Sequence, residues 1–209
     1  TPICESAIVS AAYGLSVNGM KAVMEMQFSD FVSTGFNPIV NLLAKSHYRW
    51  NQEADVVIRM PCGAGVGAGP YHSQTNEAWF TKTPGLKVIY PAFPYDAKGL
   101  LTSAINDPNP VLFFEHKNLY RTIYQDVPTD YYTLPLKEGN DVTIISFGLP
   151  VHWALETLDE NKNISADLID LRSLQPLDTE AIFNSVKKTG KVIILQEDSL
   201  FGSLSGEIS

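Results

Sequence analysis

The sequence predicts an α/β protein built on parallel sheets, and three observations lead to that class. Short runs of β-branched and aromatic residues alternate with longer stretches whose apolar residues recur at helical spacing. The runs "DVVIRMP", "LKVIYP" and "PVLFFE" are apolar almost throughout, as strands buried on both faces are. Between the last two lies "YDAKGLLTSAIND", helical in period, which gives the strand–helix–strand order of a right-handed parallel crossover.

Taken in order, "CESAIVSAAYGLSVNG" has helical spacing and stops at Gly19, a plausible cap. "KAVMEM" reads as a short strand. "DFVSTGFNPIVNLLAKSHYRW" is helical in period and is expected to break at Pro38. Residues 120–139, "YRTIYQDVPTDYYTLPLKEG", mix Pro, Asp and Tyr without a period and read as a linker. Alternation resumes with "DVTIISFG", "HWALETLDE", "ADLIDLR", "DTEAIFNSVKKTG" and "KVIILQED". The expected division is therefore a first α/β unit over 1–119, a linker over 120–139 and a second, incomplete unit over 140–209. Both ends read as cut, so the expectation is a piece of a longer chain.

With 209 residues and 44% hydrophobic content, the chain has the apolar mass for a real core. A net charge of -8 argues against a nucleic-acid surface and against anionic lipid. No apolar run approaches the ~20 residues that a membrane-spanning helix needs, and no signal peptide is visible. Cys4 and Cys62 form no CxxC pair and read as reduced thiols of a cytoplasm-like compartment.

The stretch most open to chemistry is "GAGVGAGPYHSQTNEAWF", from Gly63 to Phe80. It has neither the Lys-Ser/Thr pair of a Walker loop nor a GxGxxG opening a helix, so a phosphate cradle is disfavoured. Its alternating glycines are expected to form an extended segment that allows close backbone approach. His72 then sits in a loop, open to a structural reading or to facing a cleft. Ser73, Gln74, Thr75 and Asn76 are candidate caps for a helix starting near Glu77. Glu5, in the first turn of the first helix, is either a carboxylate favoured by the helix dipole or a buried acid with a raised pKa. His47, His116 and His152 show no metal-ligand spacing. Asp107 and Asn109, in "NDPNPV", most simply make a turn before a strand.

Several stretches in this order, "TPICESAI", "MQFSDF", "PYHSQTNEAWF", "PGLKVIYP", "DAKGLL", "NPVLFFEHKNLYR" and "IDLRSLQPLD", resemble the β subunit of the thiamine-diphosphate-dependent component of 2-oxo acid dehydrogenase complexes. The resemblance runs over essentially the whole chain. It implies a transketolase-like pyrimidine-binding domain, lacking its N-terminal part, followed by part of a transketolase C-terminal-like domain. Glu5 matches the glutamate that hydrogen-bonds the aminopyrimidine ring, where a buried carboxyl shares a proton near neutral pH. Phe31 matches the aromatic position packed on that ring, often tyrosine in relatives, and Gln27 lies in the same stretch among the cofactor-binding positions. His72 matches the histidine that meets substrate and the incoming lipoyl group. The glycines are then expected to bring the backbone close to the cofactor cleft. Ala104, Asp107 and Asn109 match a structural potassium site, Ala104 through its carbonyl.

The resemblance further implies that the magnesium and diphosphate ligands belong to an α subunit or a fused α-like domain. Other implied partners are a second β chain and a lipoyl acyltransferase core. A cytoplasmic setting is favoured, or the mitochondrial matrix in a eukaryote. The substrate is a branched-chain 2-oxo acid or pyruvate. Two rivals stand beside it: a transketolase or deoxyxylulose-phosphate synthase, which would want Arg and His clusters for a sugar phosphate, and a catalytically silent assembly module.

Overall fold

The computed structural model describes residues 1–127 and 136–209. Residues 128–135, inside the expected linker, lie outside the described residues. The chain opens with helix α1 (Glu5–Val17). Gly19 ends it at φ +80°, its N–H bonded to the Ser16 carbonyl at 2.8 Å, the left-handed cap that glycine adopts without a Cβ penalty. Strand β1 (Ala22–Glu25) follows, then a 3-10 turn over Ser29–Gly35, α2 (Phe36–Asn41), a second 3-10 turn over Leu43–Lys45, and α3 (Ser46–Trp50). The expected break at Pro38 is corrected here. Pro38 is the third residue of α2, where no intrahelical N–H bond is lost. The helical run is divided instead at Gly35 and at Leu42.

The rest of the first part is β2 (Val56–Cys62), α4 (Ala78–Thr81), β3 (Lys87–Ile89), α5 (Pro94–Asn106), β4 (Val111–His116) and α6 (Leu119–Thr122). The second part supplies β5 (Val142–Ser146), α7 (Leu149–Glu160), β6 (Ala166–Asp170), β7 (Ser173–Gln175), α8 (Thr179–Thr189), β8 (Val192–Ile194) and α9 (Ser205–Ile208). Asp178 caps α8 by accepting the Ala181 N–H at 2.9 Å.

Two sheets result. The first has the order β1-β2-β4-β3-β7 and the second β6-β5-β8. Among the described strands all pairings are parallel except β3 with β7, which is antiparallel. Strand β7 was not foreseen in the sequence: its three residues are too few to show a period. It lies in the 140–209 segment yet completes the first sheet. No helix among the described residues is long and apolar enough to cross a membrane.

Strands β2 and β4 are central and nearly fully buried. Phe80, Phe113, Phe114, Ile58, Met60 and Leu112 are among the largest fully buried side chains, each contributing roughly 1.5–3 kcal/mol by leaving water. Among the buried polar residues of β4, Glu115 takes a bidentate pair of 2.7 Å bonds from Arg59 on the neighbouring strand. Pro61 is tolerated inside β2 because β1 ends at Glu25, opposite Arg59, and leaves no strand there to receive its missing N–H. The strands therefore run parallel and end together, placing the Gly63 loop after β2 beside His116 at the end of β4.

Candidate active site

Glu5 is the first residue of α1 and is half-buried. The expectation of a buried carboxylate is corrected to that extent: within this chain one side of Glu5 stays open. Its Oε2 accepts the Thr34 hydroxyl at 2.7 Å, and Oε1 has no protein partner among the described residues. Thr34 also bonds the Phe31 carbonyl at 2.9 Å. The tight 3-10 turn thus links the helix terminus to Phe31, whose ring is half-buried.

Phe31, Phe28 and His72 form an edge-on aromatic cluster. Centroid distances from His72 are 4.8 Å to Phe28 and 5.7 Å to Phe31, with interplanar angles of 89° and 90°. Such T-shaped contacts fix ring orientation without a hydrogen bond. Glu5, Phe31 and His72 are therefore joined in one chain of contacts through Thr34. Gln27 is exposed at the end of β1, and its side chain makes no hydrogen bond among the described residues.

The loop that carries His72 departs from the extended segment expected of it. Gly63, Gly65, Gly67 and Gly69 all have positive φ, between 71° and 85°, so the alternation encodes repeated left-handed bends. The close approach is also elsewhere than foreseen. A Cβ on Gly63 would lie 2.1 Å from Nε2 of His116, while Gly67 and Gly69 have nothing within 4 Å. A Cβ on Gly65 would meet the Asn118 amide at 2.9 Å, so the tightest of these approaches is Gly63 on His116. That imidazole is buried, bonded through Nε2 to Glu197 Oε2 at 2.6 Å, and accepts the Asn118 N–H at Nδ1. Glu197 Oε1 also accepts the Ala64 N–H at 2.9 Å. A carboxylate just after β8 in the second part therefore pins the glycine loop of the first.

After His72 the chain is held again. Asp30 Oδ1 accepts the N–H groups of Ser73 and Gln74, each at 3.2 Å. Asn76 does not cap α4, as foreseen, but donates to the Ser29 carbonyl at 2.9 Å. The reason is packing: α4 is a single turn starting at Ala78, and Asn76 is buried against the 3-10 turn.

Glu77 beside it is buried, and burial pushes its carboxyl up to about 8, with the charges of Asp198 and Glu197 adding to the rise. Its folded value is raised, so the folded state holds a proton that the unfolded chain gives up. The associated stability is present at low pH and is lost as pH rises from about 4.5 through about 8. Glu77→Gln should flatten this. Its melting temperature should gain on the wild type as pH rises from about 5 to about 9, with a difference of up to a few kcal/mol in denaturant titrations. Parallel pH profiles would show that Glu77 ionises normally.

The set Ala104, Asp107 and Asn109 is not brought to this site. It precedes β4 whereas His116 ends it, a separation of roughly 20 Å at 3.3 Å per strand residue. Desolvation works against ionisation of Asp107, but Lys87 and Asn109 hold its carboxyl below the usual range. The Lys87 ammonium bonds one carboxylate oxygen, and the Asn109 N–H and amide bond the other at 2.9 Å. Both carboxylate oxygens of Asp107 are thus engaged within the chain, and its bond from the Asn109 N–H makes the turn before β4.

Nothing in the local sequence singles out Thr34 or Glu197, and His116 shows no metal-ligand spacing. "SDF" did place a carboxylate beside Phe31, and that adjacency was the available signal for Asp30.

Comparison with known proteins bears on the whole chain. The family model "Transketolase, pyrimidine binding domain" matches residues 1–122, and "Transketolase, C-terminal domain" matches residues 132–209. The 2-oxoisovalerate dehydrogenase subunit beta of Bacillus subtilis (strain 168) is 46% identical, covering 100% of this chain and 67% of its own length. The pyruvate dehydrogenase E1 component subunit beta of Acholeplasma laidlawii is 44% identical, over 94% of this chain and 63% of its own. The chain thus spans about two thirds or less of these relatives. A solved structure described as a split gene transketolase, inactive beta4 tetramer, superposes with a TM-score of 0.80 at 26% identity, covering 99% of this chain and 67% of that one. The chain belongs to the transketolase pyrimidine-binding family, among the relatives of 2-oxo acid dehydrogenase β subunits.

Proposed function

We propose that this chain is the β side of a thiamine-diphosphate-dependent 2-oxo acid dehydrogenase, an oxidoreductase that passes the acyl group to lipoyl on an acyltransferase core. The observation that carries the reading is the connected set Glu5–Thr34–Phe31–His72. The set fits a pyrimidine. Glu5 has one oxygen held by Thr34 and one open, and the same Thr34 hydroxyl reaches the main chain of Phe31.

Thiamine diphosphate, when bound, supplies the electron sink for decarboxylation. In this reading Glu5 Oε1 bonds the pyrimidine ring nitrogen and holds or yields a proton there. Phe31 would pack its ring on the pyrimidine and exclude water, and Gln27 would bind the cofactor beside it. His72, kept edge-on by Phe28 and Phe31, meets the 2-oxo acid and then the lipoyl group. The magnesium and diphosphate ligands are assigned to an α subunit or a fused α-like domain, which closes the open side of Glu5. A second β chain completes a two-plus-two assembly. The division into a pyrimidine-binding domain over 1–119, a linker over 120–139 and a C-terminal-like domain over 140–209 is part of the proposal. So are a cytoplasmic setting and a structural potassium held by the Ala104 carbonyl and by oxygens of Asp107 and Asn109.

A substrate panel on the assembled enzyme tests the reading. We expect kcat/KM highest for 2-oxoisovalerate, then pyruvate, with 2-oxoglutarate lowest. Turnover of a sugar phosphate with none of these acids would place the chain with the transketolases instead.

A further inference from the structure

We infer that Asp30 is a positioning residue for His72, tying the turn that carries Phe31 to the loop that carries the histidine. The inference rests on the reading of His72 as an active-site group. Asp30 is 7% exposed, and its Oδ1 receives two consecutive backbone N–H groups, those of Ser73 and Gln74, directly after His72. A carboxylate that accepts charge-assisted bonds from adjacent amides fixes the direction of the chain as well as its place. Asp30 is also next to Phe31, so one residue sets both partners of the edge-on contact.

A basic side chain stands close to this carboxylate. Lys117 places its ammonium 5.2 Å over the ring of Phe28, and its Nζ is buried without a hydrogen-bond partner among the described residues. Its charge attracts that of Asp30. Asp30 Oδ2 is likewise buried and unpartnered among the described residues. Two opposite charges thus flank the Phe28–Phe31–His72 cluster, and only one oxygen of Asp30 is used for the tether. The rest of the loop is attached further off, at Ala64 by Glu197 and at Gly63 by the Gln74 carbonyl. Between those anchors and Ser73 lie positive-φ glycines with open space around Gly67 and Gly69; the His72 N–H bonds the Gly69 carbonyl within the loop, and the Asp30 bonds tie the chain directly after His72 to the turn that carries Phe31.

The test compares Asp30→Ala with Asp30→Asn in the assembled enzyme, beside His72→Ala. An asparagine oxygen still accepts both N–H bonds, and alanine accepts none. Hydrogen exchange at the Ser73 and Gln74 amides should rise about tenfold or more in Asp30→Ala and stay near wild type in Asp30→Asn. Acyl transfer to lipoyl should fall about tenfold or more in kcat for Asp30→Ala, with KM for thiamine diphosphate unchanged, and be rescued to within about threefold by Asp30→Asn. Unchanged exchange in Asp30→Ala overturns the tether. A loosened loop with full turnover overturns the positioning role when His72→Ala is inactive. If His72→Ala is fully active too, the active-site reading of His72 fails and the positioning role falls with it. Should Asp30→Ala fail to fold, Asp30→Asn decides alone: a loosened Ser73–Gln74 segment in that variant contradicts the inference.

Discussion

Glu5→Gln is expected to lower turnover of the assembled enzyme by about 10²–10⁴-fold, the usual range for loss of a positioned acid–base group. The fold should be untouched. A glutamine oxygen still accepts the Thr34 hydroxyl, and the side chain keeps its packing near Gly35. What is lost is a group able to carry a proton at the open oxygen. Exchange of the thiazolium proton should therefore slow along with decarboxylation. The check is proton exchange by NMR under quench, beside a thermal melt. Near-normal exchange in the variant would remove Glu5 from proton transfer and leave the helix-dipole reading in place.

His72→Ala is expected to cost about a hundredfold or more in acyl transfer to lipoyl, with affinity for the cofactor preserved. The backbone around it is anchored independently, by Asp30 at Ser73 and Gln74 and by the Gly69 carbonyl at the His72 N–H. Removing the imidazole deletes two edge-on aromatic contacts, worth about 0.5–1.5 kcal/mol each. The variant should consequently fold. Single-turnover decarboxylation and reductive acylation, measured separately, locate the loss. A variant that cannot fold would favour a structural histidine, and full activity would take His72 out of the site.

The parallel strands were legible because burial on both faces writes itself as nearly continuous apolar runs, as in "VVIRMPC" and "VLFFEH". Helices α1, α5, α7 and α8 were legible by period. Strand β7 was not, since three residues carry no pattern and its partner β3 is distant in sequence. Glu5, Phe31 and His72 were picked out by resemblance and by their local setting, whereas Thr34, Asp30 and Glu197 act through contacts between segments 29 to 133 residues apart. The glycine alternation was visible, but its meaning was not. Period-two glycine fits an extended chain and a series of left-handed bends equally well, and only the neighbour His116 shows which approach is tightest.

The central claim is that this chain forms one wall of a two-walled cofactor site. Glu5 is half open and the aromatic cluster only half-buried, while a diphosphate demands magnesium, oxygen ligands and backbone donors in one place. The most direct test is calorimetric titration of thiamine diphosphate with magnesium into the isolated chain and then into its mixture with the α partner. Weak or undetectable binding by the chain alone, becoming tight and magnesium-dependent in the mixture, is the expected result. Tight, magnesium-dependent binding by the chain alone would contradict it.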